Sequence, residues 1–365
     1  MSNVYFASAH VPRVDRNLSL PARFQRMLDQ LDFSQYFAGK RVAIKMHVGG
    51  DIGFYTIHPL FIRLVVDAIK KAGGSCFLTD GSFSTDAATA RGYVPEVVGA
   101  RVVGAGGEMD RYSYERSTDV PGLPVVHLCG NIVDADAMLV LSHGKGHGHS
   151  GFGGAIKNIA MGCVNYPTRG AIHALMASHF EWNSERCTHC GQCSSGCPTG
   201  AIYFNAQGVL TINEHHCRYC MHCTRSCPVE ALHMDEPEDK FRAFQEGMAA
   251  AVKATLATFD PGRVFYITTL MNLTPLCDCW GFSTQPLVPD IGIVAGEDIV
   301  AIEQASLDLI KVEHYIPGTL PEQFLPMGTE GHLFQRIHGK DPYEQVRKAA
   351  EAGLGSPAYT LVEVE

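Results

Sequence analysis

Eight cysteines fall into two copies of one spacing. Cys187, Cys190, Cys193 and Cys197 precede Pro198 in the pattern C-x2-C-x2-C-x3-C-P, and Cys217, Cys220, Cys223 and Cys227 precede Pro228 in the same pattern thirty positions later. Three thiolates in so short a loop suit three iron corners of a cube, with the fourth ligand coming from the other repeat. On that rule one 4Fe-4S cluster takes Cys187, Cys190, Cys193 and Cys227, and the second takes Cys217, Cys220, Cys223 and Cys197. The competing reading is zinc, which prefers two separated C-x2-C pairs to a triple closed by Cys-Pro. The pattern therefore points to two 4Fe-4S clusters and to electron transfer, with sensitivity to oxygen as a corollary.

A second group of residues could carry separate chemistry. Residues 142–162, which read SHGKGHGHSGFGGAIKNIAMG, follow a strand-like run and lead into a helix-like one. At such a turn backbone N–H groups can approach an anion. Gly151, Gly153, Gly154, Lys145 and Lys45 are the candidate ligand-binding residues for a small anionic molecule, a phosphate or a carboxylate. His143, His147 and Lys157 are the candidate catalytic residues, and His143, His147 and His149 could instead converge on one metal ion. The alternative is a mobile glycine-rich loop with solvent-facing histidines.

Cys277 and Cys279, in Cys277-Asp278-Cys279-Trp280-Gly281, sit on one side of an extended segment and could bind an extra metal or react. Two buried reduced thiols are the equal alternative. Lys45 and His47 end one apolar run and Asp80-Gly81-Ser82 ends the next, so they could line one crevice or form a salt bridge at the sheet end. Asp290 and the stretch from Asp298 to Glu303 are read as caps, and Cys76, Cys129 and Cys163 as core residues.

These groups need a scaffold, and the flanking sequence supplies one. A strand at Val4-Tyr5-Phe6, a helix from Phe24 to Leu31, a strand from Arg41 to His47, a helix from His58 to Ala72 stopped by Gly73-Gly74, and a strand from Cys76 to Thr79 give a βαβ rhythm. Further strands are expected at Arg101 to Val103, Pro124 to Leu128 and Ala137 to Leu141, and at Val264 to Thr268 and Ile291 to Val294. Their continuous apolar runs suit a mixed or mostly parallel sheet covered on both faces. An amphipathic helix through Leu256 and another from Glu297 to Ile310 would pack on it, while Pro317 to Gly339 reads as loop and short helix. The fold class is α/β, with the first part of one domain at 1–179, an inserted module at 180–236, and the second part at 237–365.

Composition narrows the setting. With 46% hydrophobic and 18% charged residues, 365 residues can bury a large core. A net charge of -9 without long charge runs nominates no nucleic-acid partner. No apolar stretch reaches membrane-spanning length, and the N-terminus lacks a signal-peptide pattern, so a cytoplasmic protein is expected. Thirteen cysteines, an odd count, fit reduced thiolates better than disulfides.

The cysteine module resembles bacterial ferredoxin. The wider arrangement resembles the domain-of-unknown-function 362 family of iron-sulfur centre proteins, on the strength of Val42-Ala43-Ile44-Lys45, Gly73-Gly74, Thr79-Asp80-Gly81, the 142–162 loop, Cys277-Asp278-Cys279 and Pro289-Asp290-Ile291-Gly292. That resemblance implies an α/β domain joined to a two-cluster ferredoxin module. A more distant similarity links His147, Gly151-Phe152-Gly153-Gly154 and Lys157 to nickel-pincer lactate racemases, in which a histidine, a Gly-Phe/Tyr-x-Gly-Gly segment and a lysine hold the cofactor. Those racemases carry no ferredoxin insertion, and this chain adds His143, Lys145 and His149.

Three readings stay open. The first is an iron-sulfur oxidoreductase whose clusters exchange electrons between a redox partner protein and a ligand or metal site in the α/β domain. The second is a pure electron carrier, and the third a metallocofactor assembly or delivery protein. No Walker loop, Ser-His-Asp order or strict GxGxxG competes with them.

Overall fold

Short apolar runs alternating with amphipathic stretches build an eight-stranded sheet in this chain. The structure, a computed structural model, describes residues 1–365 apart from 51, 82–84, 178, 198, 214–215, 218, 220–221, 235–236 and 282. Cys220, Pro198 and Ser82, all named above, lie outside the described residues. The strand order is Tyr359–Glu363, Ser2–Ser8, Gly292–Gly296, Val264–Leu270, Ala137–His143, Arg41–Met46, Ser75–Asp80, Val102–Gly104. Every neighbouring pair is parallel except the two made by Gly292–Gly296. The mostly parallel sheet expected from the sequence is thus present.

Side-chain alternation explains why two helical layers are needed. Along Ala137–His143, Ala137, Leu139 and Leu141 enter one apolar cluster, and Met138 and Val140 enter the other on the opposite face. Each fully buried side chain of Leu or Met size contributes roughly 1.5–3 kcal/mol. Helix Pro59–Lys71 covers the first face with Phe61, Ile62, Val65, Val66 and Ile69. His58 caps it by accepting from Leu60 N, and Lys70 and Lys71 sit favourably in its last turn. Gly73, at φ +84°, ends it in a conformation that disfavours a side chain, and a Cβ at Gly74 would meet Phe37 O at 2.8 Å. The opposite face is covered by Ala155–Gly162 and Ile299–Leu309, with Pro237–Leu256 packed behind.

Two expectations need correction. The run from Pro124 to Leu128 is a strand, Leu123–Cys129, but it pairs antiparallel with Ser113–Val120 in an outlying hairpin rather than joining the main sheet. Pro124 is exposed while Leu123, Val126 and Leu128 are buried, so the strand is not covered on both faces. The 142–162 stretch is not a mobile, solvent-facing loop either. Lys145–His147 pairs with Gly151–Gly153 in a buried hairpin that feeds helix Ala155–Gly162.

Residues 180–234 form small paired elements. Phe180–Trp182 pairs with Leu232–Met234, and Ile202–Phe204 pairs with Leu210–Ile212, all antiparallel. A shift of thirty residues turns the first and second strands of one copy into those of the other, and short helix Gln192–Ser195 into His222–Arg225. Each first strand therefore pairs with the second strand of the other copy. The repeat extends to the backbone: His189 and Tyr219, at matching positions, share a left-handed φ of 51°.

Candidate functional site

In a parallel sheet the carboxyl ends of the strands share one edge, where a crevice naturally forms. Here Lys45, Asp80, Ser142 and His143 come from the ends of three strands, and His47 follows the end of one. Together with the hairpin and helix Ala155–Gly162 they line a cavity of about 360 Å³, a size suited to a small molecule. Lys45, Lys145, Lys157 and Arg169 line it with Asp80, and Arg169 also pairs with Asp110 at 3.3 Å.

Two buried polar networks brace this cavity. Lys45 Nζ donates to Asp80 Oδ1 at 3.0 Å and Asn158 Oδ1 at 2.6 Å, and His47 Nδ1 lies 3.0 Å from Asp80 Oδ2. Burial opposes ionisation of Asp80, but Lys45 and His47 overcome it and hold the carboxyl far below its ordinary range. Burial likewise works against a charged His47, yet the bond to Asp80 and the nearby Cys277 raise its pKa on balance. In the second network Asp278 receives His143 Nδ1 at 3.0 Å and Lys145 Nζ at 3.1 Å. Burial opposes its charge too, but Lys145 and His143 bring its pKa down to about 2.

Between the networks lies a thiol pair. Cys277 is fully buried and caps the turn Asp278–Trp280 by accepting from Cys279 N at 3.4 Å. Lys157 Nζ is 3.2 Å from Cys277 Sγ, while Cys279 is exposed and lines the cavity. The bond from Cys279 and the charge of Lys157 pull the Cys277 thiol well below its usual value despite burial, and the same bond raises Cys279. Burial opposes the charge on Lys157, and the thiolate next to it raises the ammonium's pKa on balance.

The three loop histidines do not converge. His143 is committed on both ring nitrogens, to Asp278 and to Met271 O at 2.8 Å. His149 packs against the rings of His173, Tyr219 and Phe244. Only His147 joins the thiols: its ring, Cys277 and Cys279 bring potential ligand atoms within 4.8 Å of one another, which is compatible with metal binding. His147 Nδ1, however, accepts from the backbone N–H of His149 and of Ser150, both at 3.1 Å. That fixes the neutral tautomer with hydrogen on Nε2, and a nitrogen carrying hydrogen cannot ligate a metal. Burial and Lys157 lower its pKa to about 4, so His147 presents a neutral N–H donor to the thiols.

The helix start expected to receive an anion is filled by a carboxyl of the protein's own. Glu303 Oε2 accepts from Ala155 N at 2.7 Å, and a Cβ on Gly154 would collide with that carboxyl. Burial raises Glu303 to about 8, so it is protonated at neutral pH. Sequence reasoning read Glu303 as part of a cap and missed this role, because the contact spans 148 positions. Gly153 lines the cavity, whereas Gly151 sits at φ +80° against Lys340 and Pro342 and does not. Arg169, His173, Tyr219 and Trp280 line it and were not foreseen.

The cysteine repeats gather next to this cavity. Cys187, Cys190, Cys193 and Cys227 line one small pocket, together with Phe204 and Leu210. Cys197, Cys217 and Cys223 pack on the main apolar cluster. Cys197 Sγ and Cys227 Sγ accept from Ala201 N at 3.3 Å and Ala231 N at 3.2 Å, equivalent bonds in the two copies. Trp280 stacks on His216, with centroids 5.1 Å apart and planes 22° apart, which joins the thiol turn to the residue before Cys217. Cys129 and Cys163 are core residues as expected, and burial pushes the Cys163 thiol up to about 12.

A family model described as domain of unknown function DUF362 matches residues 42–308, a span that includes both networks, the thiol pair and the cysteine repeats. This chain belongs to the DUF362 family. No curated protein sequence matches it. Among solved structures, this DUF362 chain is similar to the lactate racemase apoprotein from Thermoanaerobacterium thermosaccharolyticum, at 13% identity and a TM-score of 0.36 over 74% of this chain and 51% of that one. It is similar also to a Thermotoga maritima protein, at 10% identity and a TM-score of 0.36 over 70% and 52% of the two chains. The DUF362 chain thus spans about half the length of these structures. Among the described residues, no helix is long and apolar enough to cross a membrane.

Proposed function

We propose that this DUF362 protein is an iron-sulfur oxidoreductase. It binds two 4Fe-4S clusters in a ferredoxin-like module inserted at about residues 180–236, and it exchanges electrons between a redox partner protein and the cavity at the sheet edge. The observation that carries this reading is the convergence of Cys187, Cys190 and Cys193 of one repeat with Cys227 of the other on a single pocket. That donor set is the one a cubane requires, three ligands from one loop and one from its partner. Cys217, Cys223 and Cys197, with Cys220, supply the second set by the same repeat.

The residues present fit such clusters. The N–H groups of Ala201 and Ala231, aimed at Cys197 and Cys227 sulfur, suit anionic ligands. When bound, the clusters supply one-electron transfer. The chain's own residues make the receiving end: Tyr219, Cys279 and Trp280 all line the cavity, and Trp280 stacks on His216, the residue before Cys217. The N–H groups that Lys145, Lys157 and Arg169 keep beyond their bonds to Asp278, Cys277 and Asp110 favour an anionic small molecule there. A delivery role for a metal held at His147, Cys277 and Cys279 is less well supported, because the tautomer of His147 opposes ligation.

The test is anaerobic iron and acid-labile sulfide analysis with EPR before and after reduction. About eight iron and eight sulfide per chain are expected, with cubane signals on reduction. Stoichiometric zinc without sulfide would overturn the reading.

A further inference from the structure

We infer that Cys277 and Cys279 are a redox-active dithiol that reduces the S–S bond of a small anionic disulfide bound in the sheet-edge cavity. The inference rests on the proposed function only for the electrons that would reset the pair.

Three observations carry it. The two sulfurs lie within 4.8 Å of each other, one residue apart on a single turn, against about 2.05 Å in a disulfide. The pair is asymmetric in access: Cys279 faces the cavity and Cys277 lies behind it, fully buried. Cys277 is held as a partner ready to react, 3.2 Å from Lys157 Nζ and bonded to Cys279 N. Structural core thiols look different here: Cys129 and Cys163 are buried in an apolar cluster and do not line this cavity.

The atoms balance without another reagent. Cys279 passes its proton to the Cys277 thiolate and attacks the near sulfur of the substrate. The substrate S–S bond breaks, releasing one thiolate and leaving a mixed disulfide on Cys279. Cys277 then attacks Cys279 Sγ, expels the second substrate sulfur and gives it the proton. Thiolate, thiol and substrate disulfide become protein disulfide, thiolate and thiol. The substrate gains two electrons and the protein loses two. Two single electrons and one proton restore the pair. The lining selects the class of substrate through N–H groups left over from its own pairs: Lys145 on Asp278, Arg169 on Asp110 and Lys157 on Cys277 each keep further donors that would hold carboxylates flanking the S–S bond.

The experiment is a single anaerobic turnover of the purified full chain with dithiodiglycolate, a dicarboxylate disulfide, and in parallel with neutral bis(2-hydroxyethyl) disulfide. Iron and sulfide are assayed on the same sample. Trypsin releases residues 264–311, in which Cys277 and Cys279 are the only cysteines. The expected result is that this peptide loses about 2 Da, one internal disulfide, and does so at least about tenfold faster with the dianion. In Cys277→Ser the peptide should carry a stable thioglycolate adduct on Cys279. An unmodified wild-type peptide, or a wild type that stops at the mixed disulfide, would overturn the dithiol. Equal rates with the two probes would overturn the substrate class. Protein that completes the turnover yet holds no iron or sulfide would keep the dithiol and remove the proposed electron source.

Discussion

The cysteine repeats and the sheet-edge cavity are neighbours built on opposite principles. The repeats place their cysteines in loops of eleven residues, so spacing alone suggests iron-sulfur ligation. The cavity gathers Lys45, Asp80, Lys157 and Cys277 from four distant segments, and each of its key contacts spans dozens of positions. Local chemistry can be read as a motif, whereas non-local chemistry depends on which strand ends the sheet brings to one edge. The Trp280 and His216 stack is where the two meet.

Breaking the repeats should have the largest effect. Cys227→Ala removes the one ligand that crosses between copies into the Cys187 pocket. Iron content is expected to fall by about half, and one of two interacting EPR signals to vanish. Full iron retention would break the proposed exchange of ligands.

Within the α/β scaffold, the next effect concerns a carboxyl rather than a thiol. Glu303 is fully buried with its folded pKa raised to about 8 from 4.5 by burial. A raised pKa gives stability that is fully present below the unfolded value and is lost as pH rises through the folded one. Glu303→Gln, which cannot ionise, should therefore gain on wild type between about pH 4.5 and 8, by up to about 5 kcal/mol in urea unfolding. A pH-independent difference would show that Glu303 is not held neutral.

Asp80→Ala leaves Lys45, 1% exposed, without its carboxylate partner, and a loss of about 3–5 kcal/mol is expected from the same measurement. Asp80 is depressed, so its stabilisation is present above the unfolded carboxylate pKa and disappears as pH falls towards the folded value. Wild type and variant should therefore converge in strong acid. The smallest effect sharpens the comparison most. Lys157→Met should slow closure of the Cys277–Cys279 disulfide by dithiodiglycolate at neutral pH by about tenfold, while iron and sulfide content stay as in wild type. A matching loss of iron would mean a global change.

Much of the scaffold was legible because its strands are apolar and its helices periodic. Helix Pro59–Lys71 and strand Ser75–Asp80 fall within a residue or two of expectation. The C-terminal helix Glu344–Glu351 and strand Tyr359–Glu363 were missed. The strand lies at the sheet edge, where exposed Thr360, Leu361 and Glu363 give no apolar run. Strand Ser113–Val120 was missed for the same reason, being mostly exposed and polar. Of the site, Cys277 and Cys279 were picked out from their spacing, as were Lys45, His47 and Asp80 from their strand ends. Sequence could not show that His143 pairs with Asp278 across 135 positions, which withdraws it from any metal centre.

The central claim is that electrons from the cysteine repeats reach the thiol pair, and a coulometric reductive titration tests it most directly. Wild type is oxidised with dithiodiglycolate and compared with Cys277→Ser/Cys279→Ser carried through the same treatment. The account predicts uptake of about four electron equivalents by wild type, two for the clusters and two for the disulfide, against about two for the variant. Uptake of about two by both would confine redox chemistry to the repeats and contradict it.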